Sequence, residues 1–132
     1  MGHFKKDFGS LTGIITTECE FVTPDLKGRI KVNSAMWDTG SEATILSRQL
    51  VSQLQPEAFR QGGITGIGGD TSGNTYLLHV YLPTGDVVTY HEVYEADIDY
   101  DAIIGMDIIT LGDFHIDSSK GETSFTFSLP NE

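Results

Sequence analysis

Asp38 is the residue whose setting could do chemistry. It follows an apolar run, Ala35-Met36-Trp37, and precedes Thr39-Gly40-Ser41-Glu42. Such a strand carries a carboxylate to the edge of a core, and a tight turn holds it there. Burial against Met36 and Trp37 would raise its pKa; hydroxyl and backbone N–H donors from Thr39, Gly40 and Ser41 would lower it. A carboxylate balanced in this way can serve as a general acid or base. For Asp-Thr-Gly alone, an ordinary β-turn without chemistry is the simpler account, since Asp and Gly are the commonest turn residues.

A second stretch changes that balance. Residues 62–76 contain six glycines among fifteen residues, interrupted by Ile64 and Ile67. Glycine permits positive φ and close approach of backbone to a ligand. The stretch reads as a mobile hairpin with an apolar tip. A phosphate-cradling loop is the rival, but no Lys follows the glycines and no helical pattern begins there. A plain flexible surface loop is the simpler alternative.

The elements that must position these residues are mostly strands. Residues 1–10 read as a loose arm. Ile14 to Val22 is rich in β-branched residues and predicts a strand, which Thr23-Pro24-Asp25 breaks. Arg29 to Val32 alternates as a half-buried strand does. Asn33-Ser34 reads as a hairpin turn, and Ala35 to Trp37 as the return strand that delivers Asp38. Ala43 to Leu46 predicts a short strand, and Ser47 an N-cap for a helix whose inner face carries Leu50, Val51 and Leu54. Pro56 bounds that helix. Leu77 to Leu82 and Val87 to Val93 flank a Pro83-Thr84-Gly85-Asp86 turn. Ala102-Ile103-Ile104-Gly105 is a buried strand ending in glycine. Asp107 is expected to cap a short helix and Gly112 to end it. Phe114 to Asp117 and Thr123 to Leu129 make a last hairpin, with Phe125 and Phe127 on one face and His115 as a surface residue. Asp97, Asp99 and Asp101 imitate the start of a calcium loop, but Ala102 and Ile108 occupy its required glycine and acidic positions. They read instead as a solvated edge.

The totals bound the class. At 132 residues the chain suits one domain and can bury a core without disulfides. One cysteine, Cys19, excludes an internal disulfide and a cysteine-based zinc site. No apolar run nears the roughly 18 residues of a membrane span, and residues 1–6 lack a signal-peptide core. A cytoplasmic protein with no membrane partner is the expectation. The formal charge is -11. Residues 61–132 hold one basic residue, Lys120, against twelve acidic ones. That field excludes a nucleic-acid footprint and would attract basic peptides, although solubility alone accounts for it.

Three segments thus follow in order: an apolar strand with Asp-Thr-Gly, a glycine-rich hairpin, and Ile-Ile-Gly before a short helix. Over roughly residues 11–129 this order resembles the retropepsin-like aspartic proteases. Trp37-Asp38-Thr39-Gly40-Ser41 is similar to the family's catalytic loop. Ile64-Thr65-Gly66-Ile67-Gly68-Gly69 is similar to its flap tip, and Ile103-Ile104-Gly105-Met106-Asp107-Ile108 to its strand-to-helix signature. The resemblance implies a mainly β, closed-barrel-like fold with one or two short helices, homodimeric, with an N-terminal arm over 1–10 and one domain over 11–132. It implies Asp38 as the catalytic carboxylate, supported by Thr39, Gly40 and Ser41. Thr39 would bond across the dimer axis, and Gly40 would let substrate backbone lie close. Ile64, Gly66, Ile67, Gly68 and Gly69 would form the flap over substrate, and Ile45, Ile103 and Gly105 would line pockets. Two positions depart from the family pattern. Met106 replaces a basic residue that many members pair with an acid near the Glu42 position. Trp37 is bulkier than the usual aliphatic residue before the Asp.

Simple chemistry leads to the same dimer. Peptide hydrolysis by carboxylates needs one group as base and another as acid. Two carboxylates about 3 Å apart share a proton, and their pKa values split. This chain has one Asp-Thr-Gly and no internal repeat, so only a second copy across a two-fold axis completes the pair. A peptide or protein substrate is implied, and no metal or organic cofactor is required. The alternatives are a catalytically weak or inactive dimeric peptide-binding module on the same fold, whose hallmark would be a lost Asp or Thr, and a plain β-barrel scaffold.

Overall fold

The computed structural model describes residues 2–66 and 69–130, with backbone alone over 63–66 and 69–72. Ten strands and two short helices are formed by the described residues: β1 His3–Asp7, β2 Thr16–Val22, β3 Arg29–Trp37, β4 Ile45–Ser47, α1 Arg48–Leu54, β5 Arg60–Gly66, β6 Gly69–Tyr81, β7 Val87–Ala96, β8 Ala102–Ile104, α2 Met106–Ile109, β9 Asp113–Asp117 and β10 Ser124–Ser128.

The large sheet runs β2-β3-β8-β4-β7-β6-β5, and β2 pairs again with β6. That second pairing closes six of the strands into a barrel and leaves β5 outside the ring. Within the ring, closure satisfies backbone groups of β2 and β6 that would otherwise invite foreign strands, and β5 remains the outer strand. Two pairs are parallel, β3 with β8 and β4 with β7. Strand β8 therefore fills the slot between β3 and β4, although it comes more than fifty residues later in the chain.

A smaller sheet, β1-β10-β9, joins the two ends of the chain. Residues 3–7 are thus no loose arm; they pair residue by residue with β10, from His3 opposite Ser128 to Asp7 opposite Ser124. Alternation in β10 turns Phe125 and Phe127 inward, where both are fully buried. The Trp37 ring stands 5.0 Å from Phe125 and 4.8 Å from Phe127. Its indole N–H donates to the buried Thr17 hydroxyl at 2.8 Å. The bulk of Trp37 thus fills the space between barrel and terminal sheet.

The expected hairpin at Asn33-Ser34 does not occur. Strand β3 runs unbroken through both residues. Thr17 pairs with Ala35 and Cys19 with Val32, so Asn33 and Ser34 together oppose Glu18. This is a β-bulge, which accepts polar residues and bends the strand for the same reason that a turn does. Helix α1 forms as its sequence predicts, whereas the expected ends of α2 do not hold. The Ser47 hydroxyl caps α1 by accepting from Leu50 N, Val51 is buried beneath it, and Gln55 ends it in the left-handed region. Helix α2 begins at Gly105 without a side-chain cap, so Asp107 is not its cap. It ends at Ile109, before Gly112, which lies close against Leu129 and Phe127.

Candidate active site

Asp38 stands directly after β3, half-buried, beside the end of β8. Its backbone N–H donates to the Ile104 carbonyl at 2.9 Å, which continues the parallel ladder by one residue. Its carboxylate Oδ1 accepts the Gly40 N–H at 2.8 Å, and its carbonyl accepts the Ser41 N–H at 3.1 Å. A side chain at residue 40 would crowd that carboxylate, for a Cβ there would lie 3.1 Å from Oδ1. Thr39 and Gly40 are exposed. The Ser41 hydroxyl donates to the Ala43 carbonyl at 2.8 Å and so belongs to the turn itself.

The returning limb of the turn leans on the start of α2. Met106 N–H donates to Ser41 O at 2.7 Å, and Asp107 N–H to Glu42 O at 3.2 Å. Gly105 must be glycine for this contact: a Cβ there would lie 2.6 Å from the Ala43 carbonyl carbon. Steric room, and not conformational freedom, is the reason for Ile-Ile-Gly at this place.

A row of side chains crosses the sheet beside Asp38. Register pairs Met36 with Ile103, Ile103 with Ile45, and Ile45 with Tyr94. Paired neighbours share a face. Ile45 and Ile103, 5% and 8% exposed, form with Ala96 a cluster separate from the main core, against which Met36, Tyr94 and Ile98 pack. The two isoleucines singled out in the sequence therefore meet; Met36, Tyr94 and Ile98 join them and carried no motif to announce them.

The hairpin β5–β6 is paired from Arg60 opposite Thr75 to Gly66 opposite Gly69. Ile64 and Gly66 lie on β5 and Gly69 on β6, whereas Ile67 and Gly68 fall outside the described residues. At the base of the hairpin, glycine serves packing. A Cβ at Gly62 would lie 2.8 Å from Thr75 Cγ2 and 3.1 Å from the Tyr94 ring. Arg60 makes a two-pronged contact with Glu92 at 2.6 and 2.7 Å, and Thr75 donates to the same carboxylate. Hydrogen bonding and attraction from Arg60 hold Glu92 below the usual carboxylate range despite burial.

One constellation has no local sequence pattern to mark it. Thr44, His91 and Asp107 converge from three segments, with His91 Nε2 2.7 Å from Asp107 Oδ2. Burial works to raise the Asp107 pKa, but bonds from His91 and Thr44 outweigh it and lower it. Among the described residues no group of three His, Cys, Asp or Glu side chains is placed to hold a metal ion. No helix there is long and apolar enough to cross a membrane.

No family model and no curated protein matches the sequence. Solved structures do match the fold. A retropepsin-like aspartic protease from Rickettsia conorii superposes with a TM-score of 0.62 at 14% identity, over 97% of this chain and 94% of that one. EIAV protease, in complex with the inhibitor HBY-793, superposes with a TM-score of 0.60 at 22% identity, over 76% of this chain and 88% of its own. At such identities the likeness is one of backbone architecture. The barrel closed by β2 and β6, with β8 slotted beside the Asp38 strand, is accordingly a retropepsin-like fold.

Proposed function

We propose that this chain is an aspartic endopeptidase that works as a homodimer. The observation that carries the reading is Asp38. Its carboxylate is held at a strand end by Gly40 N–H and flanked by the Met36–Ile103–Ile45 row, on a fold that aspartic proteases share. In the dimer, Asp38 of each copy would approach the other across the two-fold axis. One ionised carboxylate would take a proton from a bound water, and its protonated partner would polarise the scissile carbonyl. Thr39, exposed on the turn, would donate across the axis; Gly40 would let substrate backbone approach; Ser41 would hold the turn. Ile64, Gly66, Ile67, Gly68 and Gly69 would close over substrate, since lids of this kind exclude water. Ile45 and Ile103 would receive apolar side chains, with Gly105 keeping the floor beneath them.

The test is incubation of purified protein with a diverse peptide library from about pH 3 to about pH 7, read by mass spectrometry. Cleavage by the native protein and none by Asp38→Asn supports the reading. Binding of peptides without cleavage supports the inactive binding module instead.

A further inference from the structure

Asp107 is more heavily engaged than a helix residue needs to be. Its Oδ2 accepts from Thr44 N at 2.9 Å and faces His91 Nε2 at 2.7 Å. Its Oδ1 accepts from the Thr44 hydroxyl at 2.8 Å and from Ile108 N at 2.9 Å. An ionised carboxylate offers about four acceptor sites, so this one is saturated. With the carboxylate ionised, His91 Nε2 is the donor between them. Thr44 passes the contact on, since its hydroxyl accepts Gly105 N–H at 3.3 Å.

We propose that His91, Asp107 and Thr44 form a latch that positions the Asp38 turn, with all three acting as positioning residues; its bearing on catalysis rests on the reading of Asp38 given above. The turn needs such a device. Thr39, Gly40 and Glu42 are exposed and cannot anchor it by packing. It is held instead where Ser41 O and Glu42 O accept the first two N–H groups of α2. The Asp107 carboxylate clamps Thr44 of the same limb through its N–H and its hydroxyl, and His91 ties that clamp to β7. Three segments far apart in sequence thereby hold one turn.

Burial works to raise the Asp107 pKa, but the bonds from His91 and Thr44 outweigh it and hold it below the usual carboxylate range, so the latch withstands acid better than an ordinary carboxylate contact. His91 is the titratable group facing it from β7. Its neighbour Glu92 is committed to Arg60 and Thr75. Strands β4 and β8 bring no titratable side chain, α2 brings only Asp107, and Glu42 offers its backbone carbonyl.

Amide hydrogen exchange by NMR on the full chain tests this without reference to activity. In Asp107→Ala, exchange at Ser41, Thr44 and Met106 is expected to rise at least about tenfold more than at Leu78 and Val80 in β6. Asp107→Asn keeps an acceptor toward Thr44 N and His91 and should recover most of that protection. His91→Phe should loosen the same amides by a smaller factor. In a cleaving preparation Asp107→Ala should lower kcat on the order of a hundredfold with KM little changed, as a displaced reacting group does. Exchange that is unchanged, or raised equally at all amides, overturns the latch. The expected exchange pattern in a native protein that cleaves nothing upholds the latch and removes the protease reading.

Discussion

At the scale of single residues, Asp38 and Trp37 divide the labour of one dipeptide. The carboxylate faces the turn and the indole faces the core. Asp38→Asn preserves shape and removes the carboxylate, so on the proposed reading it should abolish cleavage and leave the thermal midpoint nearly unmoved. Full activity in that variant would refute the assignment. Trp37→Ala should do the converse. It empties the space between Phe125, Phe127 and Thr17, and should cost about 3–5 kcal/mol in urea unfolding. Asp107 has its own signature. Its folded-state pKa lies below the unfolded value of about 3.9. The stability it contributes is therefore complete above that value and lost as pH falls through the folded one. Urea midpoints of Asp107→Asn should fall less steeply than those of the native protein below about pH 4.

At the scale of elements, the hairpin β5–β6 rests on close packing at its base. Gly62→Ala drives a methyl against Thr75 and Tyr94, and should destabilise by about 1–3 kcal/mol, as overpacking does. A neutral result by thermal denaturation would show that Thr75 and Tyr94 yield freely. This scale also shows what a sequence can disclose. The Asp38 turn, the glycine hairpin and the Ser47 cap were legible because each rests on local pattern, whereas Ile45 and Ile103 were named only through the family resemblance. Asn33-Ser34 was misread because a bulge and a turn ask for the same residues, and only the partner strand distinguishes them. The first strand was hidden because His3 to Asp7 owes its order to β10, at the far end of the chain. The His91–Asp107 contact was hidden likewise, since neither residue has a local pattern that names the other.

At the scale of the whole molecule, the single Asp-Thr-Gly requires two copies for a dyad. Sedimentation of an active preparation should show a dimer, and an active monomer would dismiss the shared site. Activity should follow a bell-shaped pH profile whose limbs belong to the pair of carboxyls and not to either one. A rate still climbing at about pH 8 would count against the pair. The acidic excess of residues 61–132 should favour peptides with Lys or Arg near the cut, and added salt should weaken that preference.

The slot between β3 and β4 has a consequence in time. Asp38 is synthesised well before its ladder partner Ile104 and the N–H groups of Met106 and Asp107. Until they arrive, the turn has little to hold it. Pairings of such long sequence separation pay their closure entropy before any contact rewards them, which places folding in the slower, millisecond-to-second class. In pulse-labelled refolding, the β6–β7 amides should become protected before those of Ser41 and Thr44. A nascent or truncated chain that ends before β8 would carry the Asp-Thr-Gly letters without the assembled turn, so the fold itself delays the moment at which the Asp38 carboxylate is set in place.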